Sequence, residues 1–211
     1  MHEQLISIFV TLLVVIDPIG VAPIFASLTR GGSPAYRRRM AFKGTGIAAG
    51  ILFVFAFSGD VILRVLGIGL DAFKITGGAL LFLLAIDMIF ARPSGMRSTT
   101  VREQEEAQFK DDISVFPLAF PLLSGPGALT TLLLSAAGSA HDSLLFLGML
   151  LALTVVLGLT LLCLLLAPRL MRLLGETGAN VIDRLLGLVL AALATQFIVD
   201  GLRASFPLLA R

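Results

Sequence analysis

Six apolar runs, each close to the length needed to cross a bilayer, alternate with short polar stretches along the chain. A helix rises 1.5 Å per residue, so about 20 apolar residues span a ~30 Å hydrocarbon core. The pattern predicts spans near residues 4–28, 40–62, 72–91, 113–138, 144–167 and 180–201. The one sizeable polar segment, 92–112, reads as a loop with a short helix from Thr100 to Gln108 and no fold of its own. The predicted fold is therefore all-α, a polytopic membrane protein of six transmembrane helices forming a single transmembrane domain over residues 1–211. The first run is expected to remain in the mature protein, because Met1-His2-Glu3-Gln4 lacks the basic flank of a signal peptide.

Two of the six runs are interrupted deep inside, at Asp17-Pro18-Ile19-Gly20 and at Ser124-Gly125-Pro126-Gly127. Proline removes a backbone donor and lipid offers no water in exchange, so such a break survives only against a protein-lined cavity, and a cavity is expected here. Asp17 lies twelve residues past Leu5, about 18 Å into the core at the helical rise, and Pro126 lies thirteen residues past Ile113, about 20 Å in. Both breaks are expected near the midplane, with half-helices starting near Gly20 and Gly127 turning amides toward one spot. Corresponding interruptions in two halves of a hydrophobic chain point to a transporter's central binding site.

The halves also correspond elsewhere. Pro18 falls on Pro126 at an offset of 108 residues, and Gly78 falls on Gly187 and Asp87 on Gln196 at an offset of 109. Each half holds three spans, an odd number, so the second must cross in the opposite sense. Two inverted three-helix repeats are predicted, residues 1–91 and 113–211, with helices 1 and 4 broken and the loop 92–112 between them.

Composition agrees with a lipid environment: 57% of residues are hydrophobic and 14% charged. The placement of charge adds orientation. Twelve of the sixteen Lys and Arg residues fall in loop 1–2, loop 3–4 and the stretch between helices 5 and 6, which are therefore expected in the cytoplasm, with both termini on the other side. This asymmetry accounts for the net charge of +2 without a nucleic-acid partner; anionic lipid headgroups of the bilayer are the expected contact. Cys163 is the only cysteine, which excludes an internal disulfide and a cysteine-based metal site.

Asp17 is the leading candidate for chemistry, because a carboxylate near the bilayer centre is costly unless paired, protonated or bound to a cation. Two roles compete. It can receive a substrate ammonium or carry a coupled proton, or it can simply cap the half-helix that Pro18 opens. The backbone of Pro18, Ile19 and Gly20, with that of Gly125, Pro126 and Gly127, completes the expected substrate site. The hydroxyls of Ser124, Thr130 and Thr131 can serve a substrate carboxylate or bond their own helices. Gly77-Gly78 and Gly187 suit close helix approach. Asp87 is a possible coupling residue, or an interfacial carboxylate within reach of Arg92, and Lys74 can snorkel to the interface. Tyr36-Arg37-Arg38-Arg39, after a helix start at Ser33-Pro34, reads as a basic collar beside headgroups.

These residues resemble the MarC/SnatA family, six-span bacterial and archaeal membrane proteins. The resemblance rests on Asp17-Pro18-Ile19-Gly20 with Pro23 following, Phe120-Pro121-Leu122-Leu123-Ser124-Gly125-Pro126-Gly127-Ala128, Gly77-Gly78 leading to Ala85-Ile86-Asp87-Met88, and Gln196-Phe197-Ile198-Val199-Asp200-Gly201. It runs essentially end to end and implies residence in the inner membrane and movement of small neutral amino acids such as alanine or glycine. The expected mechanism is alternating access about a fixed midplane site, with a proton or sodium ion as coupling partner and no cofactor.

Other classes fit less well. The chain has no HExxH, GxSxG or phosphate-loop pattern, and no enzyme activity is expected. An intramembrane aspartyl hydrolase would need Asp17 and Asp87 together, yet one is expected near the midplane and the other near the cytoplasmic face. A passive channel would use the same breaks without alternation, and a noncatalytic scaffold would leave them unexplained.

Overall fold

A computed structural model describes residues 2–90, 112–139 and 142–206. The expected loop helix at Thr100–Gln108 and the contact between Asp87 and Arg92 lie outside the described residues. Among the described residues all regular structure is helical: α1 His2–Ile16, α2 Pro18–Leu28, α3 Pro34–Val65, α4 Leu70–Phe90, α5 Ser114–Leu123, α6 Pro126–Ser139, α7 Ser143–Leu165 and α8 Ala167–Ser205. Five stretches are long and apolar enough to cross a membrane, α1 and α2 together counting as one of 27 residues, and the bent pair α5 and α6 brings the number to six.

Local chemistry sets the helix boundaries. Ser33 caps α3 by accepting from the Tyr36 amide at 3.1 Å, with Pro34 in the first turn where no N–H is needed. Asp142 caps α7 by accepting from the Leu144 and Leu145 amides, both at 3.0 Å. The segment between helices expected near 168–179 is helical rather than extended. It forms the start of α8, separated from the apolar span 177–205 by a kink at Gly175, whose φ of 63° is natural for glycine alone.

In lipid, apolar burial does not drive helices together, so close packing over small residues does. The most extensive contact joins α4 to α8. The helices run antiparallel. A Cβ on Gly78 would lie 2.7 Å from the Ala194 carbonyl oxygen and 2.7 Å from Ile198, and one on Gly187 would lie 3.2 Å from the Ala85 carbonyl oxygen and 3.1 Å from Ile89. The glycines thus serve the close approach expected of them. Around this seam, α1 packs on α7 and α5 on α3, while α2 packs on α7 and α8 and α6 on α3 and α4. Large apolar side chains such as Val54, Phe57, Leu147 and Leu151 remain on the outer surface, as a lipid-facing bundle requires.

The interior divides into two apolar clusters. One is built on Leu12–Ile16 of α1, the middle of α4, and α6 from Ala128 onward. The other is built on Val21–Leu28 of α2, the start of α3 and α5 up to Leu123. The boundary between them falls at 17–20 on one chain segment and at 124–127 on the other.

Candidate functional site

Both interruptions sit at that boundary. At the first, Asp17 has φ 46° and ψ 73°, a left-handed conformation that Asp tolerates better than most residues. A residue before proline is pushed out of the right-handed helical region, so the helix breaks here. Asp17 still donates its amide to the Leu13 carbonyl at 2.9 Å, and its own carbonyl accepts from the Val21 amide at 3.1 Å, so one residue ends α1 and begins α2. Pro18 cannot donate to the Val14 carbonyl, nor Pro23 to that of Ile19, which removes two helical hydrogen bonds within six residues. The Asp17 side chain is fully buried, and its Oδ1 accepts from the Gly20 amide at 3.0 Å. The capping role is therefore observed, and the same carboxylate keeps lone pairs for other partners.

The second interruption is built differently. α5 is wound more loosely than an α-helix, with the Leu118 amide bonding the Ile113 carbonyl and the Ser124 amide the Ala119 carbonyl, each across five residues. Pro117 and Pro121, four apart and both in cis peptides, interrupt ordinary winding. α6 leaves at 56° to α5. Buried Ser124 donates its hydroxyl to the Ala119 carbonyl at 2.6 Å, so its only proton is used and its lone pairs remain. That makes Ser124 a poorer donor to a substrate carboxylate than its sequence position suggests. Thr131, fully buried one turn beyond Gly127, has a hydroxyl with no hydrogen-bond partner among the described residues. Thr130 directs its methyl into the notch at Gly77, where a Cβ would come within 2.0 Å of it.

The breaks approach each other through Gly127, whose missing Cβ would touch Val15 at 3.4 Å and Leu81 and Leu84 at 3.1 Å. Ile19 and Gly20 are half-exposed, and further along α2 Pro23, Ala26 and Ser27, with Arg30 just past its end, line an open cleft of about 670 Å³. The facing wall is the start of α8, including Gly175 and Asn180. Sequence reading did not single out this cleft. The stripe 20, 23, 27, 30 has helical spacing and could have drawn notice, but the opposite wall comes from residues about 150 positions away. Asp87 is half-buried toward the end of α4, beyond Leu81 and Leu84, which abut the second break. The rim at that end carries an ion pair between Lys43 of α3 and Asp112 ahead of α5. The Lys43 ammonium, with the Ser114 hydroxyl and amide, holds the Asp112 carboxyl well below the usual carboxylate range. Among the described residues no cluster of His, Cys, Asp and Glu could hold a metal.

Interrupted apolar spans, a buried carboxylate at the interruption and a bundle packed over glycines define a polytopic integral membrane protein. The chain belongs to the MarC family: the profile described as MarC family integral membrane protein matches residues 2–206. Similar proteins include a UPF0056 membrane protein of Archaeoglobus fulgidus, 39% identical over 92% of this chain and 90% of that one. The UPF0056 inner membrane protein YhgN of Escherichia coli is 37% identical over 95% and 97%. The UPF0056 membrane protein YvbG of Bacillus subtilis is 34% identical over 99% of both chains. No solved structure matches.

Proposed function

We propose that this protein is a secondary transporter that moves small neutral amino acids of the alanine or glycine kind across the inner membrane. The observation that carries the reading is the meeting of two chain breaks at one level, between two apolar clusters, with a fully buried carboxylate at one of them. A zwitterion complements that pair. Its ammonium goes to Asp17 and the lone pairs of Ser124; its carboxylate goes to amides at the start of α6 around Gly127 and to the hydroxyls of Thr130 and Thr131. Pro18, Ile19, Gly20, Gly125 and Pro126 shape the backbone of the site. A proton or sodium ion is the coupling partner, at Asp17 with Asp87 as a second carboxylate on the path.

Alternating access follows from two inverted repeats, residues 1–91 and 113–211, rocking about the fixed site. The contacts across α4 and α8 support this reading. Gly78 meets Ala194 and Ile198; adding 109 to Gly78 and subtracting it from its partners gives Gly187 with Ala85 and Ile89, which also meet. The contacts exchange as a two-fold axis in the membrane plane would exchange them, and the residue types match in all three pairs as well. The exchange of α1 on α7 for α5 on α3 follows the same rule. In the proposed topology both termini lie on the non-cytoplasmic side and the cleft beside Arg30 opens to the cytoplasm. Inner-membrane residence draws on the name of the relative YhgN.

The test is uptake by purified protein in proteoliposomes under an imposed proton or sodium gradient. Accumulation of labelled alanine or glycine above the outside concentration is expected. Equilibration without accumulation would identify a passive channel, and no uptake, together with an unmoved melting temperature at millimolar glycine, alanine and serine, would reject the amino acid reading.

A further inference from the structure

A second cleft, of about 390 Å³, opens between the start of α3 and the junction of α7 with α8. Its size is within the range of about 300–1,000 Å³ found for small-ligand sites. Four arginines line it, Arg37 and Arg38 from α3 and Arg169 and Arg172 from α8. The pairs are more than 130 residues apart in sequence and share no motif. Among the described residues no carboxylate forms an ion pair with any of the four. Arg38 stacks its guanidinium 5.7 Å from the centre of the Phe42 ring, which fixes it without neutralising it. Arg37 is half-buried, and its Nε is shut off from solvent without a hydrogen-bond partner. A guanidinium N–H in that state is costly unless an acceptor is supplied from outside the chain.

The floor of the cleft has the opposite character. Leu164 and Leu165 end the apolar span of α7, and α3 turns apolar at Met40, directly after the arginines. The cleft therefore straddles the level where hydrocarbon gives way to headgroups. A ligand suited to it carries a phosphate for the arginine forks and a hydrocarbon tail for the leucines. Arginine binds phosphate oxygens in pairs, which a lysine cannot do.

We propose that this cleft is a specific site for an anionic phospholipid, with the phosphodiester held by Arg37 and Arg172 and an acyl chain laid along Leu164 and Leu165. The leaflet is the one facing the basic end of the bundle. This goes beyond general attraction of a positive surface to negative lipid, because it requires four particular side chains and a defined stoichiometry.

The experiment uses the full chain purified in a neutral detergent. Its melting temperature is measured with added phosphatidylglycerol, phosphatidylcholine or inorganic phosphate, and retained lipid is counted by native mass spectrometry. The expected result is stabilisation by phosphatidylglycerol alone, with lipid retained at a fixed small number. In Arg37→Gln/Arg172→Gln the phosphatidylglycerol needed for half the shift rises at least about tenfold, since two charge-assisted contacts are lost and one alone is worth that much. Arg37→Lys/Arg172→Lys keeps the charge and is expected to lose the shift as well. If the double variants fail to fold, Arg172→Gln alone, at an exposed position, gives the same reading on a smaller scale. Equal stabilisation by phosphatidylcholine, or a full shift in the lysine variant, would overturn the proposal in favour of a diffuse basic surface. A shift reproduced by inorganic phosphate would overturn it in favour of a soluble oxyanion.

Discussion

The two interruptions look alike as strings of proline and glycine, yet they cap opposite helix ends. At the first, the Asp17 carboxylate accepts from an amide of the helix that follows. At the second, the Ser124 hydroxyl donates to a carbonyl of the helix that precedes. One break is a single left-handed residue within a 27-residue span, and the other is a bend of 56° after a loosely wound helix. A proline break thus leaves different groups to be satisfied, depending on which side chain stands beside it. The first break offers a buried carboxyl group. The second offers backbone amides at the start of α6 and an uncommitted hydroxyl at Thr131. The division suits a zwitterion, and it makes the breaks separable by mutation.

The largest effect is expected at the charge. Asp17→Asn keeps a capping oxygen but removes the carboxylate. Hydrogen bonds to charged groups contribute about 1.5–3 kcal/mol, so uptake should fall roughly 10- to 100-fold and lose its pH dependence, with little change in melting temperature. Unchanged uptake with an unchanged pH profile would reduce Asp17 to a cap.

Next is the geometry of the bend. A Cβ at Gly125 would come within 2.3 Å of the Pro121 carbonyl oxygen, a backbone atom that cannot swing aside. Gly125→Ala should destabilise the protein by about 1–3 kcal/mol, the usual cost of overpacking. A melting temperature equal to that of the parent would show that the turn between α5 and α6 is slack.

Ser124→Ala tests the hydroxyl. Loss of one buried hydrogen bond should cost about 1 kcal/mol in stability while leaving uptake within a few-fold of the parent. A collapse of uptake at normal stability would make Ser124 as strong a ligand as Asp17 and the two breaks functional equals.

The smallest effect belongs to the rim that holds the second broken span. The Lys43–Asp112 pair is exposed, and Asp112→Asn should cost less than about 1 kcal/mol. Because the folded-state pKa of Asp112 is lowered, the stabilisation is complete above the unfolded value of about 3.9. It is lost progressively as pH falls from that value toward the lower folded one. Melting temperatures of parent and variant should therefore differ by a constant amount from neutral pH down to about 5 and converge in stronger acid.

The sequence by itself determined the solvent, the spans and the positions of the breaks along the chain, because hydrophobic length, helix rise and the chemistry of proline are local properties. Asp17 as the cap of the first break, the glycines as packing points and the family were legible for the same reason. Tertiary structure decided what distant segments do to one another. It bent only the second break sharply, turned the Ser124 hydroxyl inward to its own helix and left Thr131 free of a described partner. It extended α8 back through the expected loop to Gly175 and beyond, and it brought the arginines of α3 and α8 around one cleft. None of these is written in periodicity. Each depends on which surfaces meet once the helices pack, and in lipid that is settled by small residues and shape rather than by the apolar content that marks the spans.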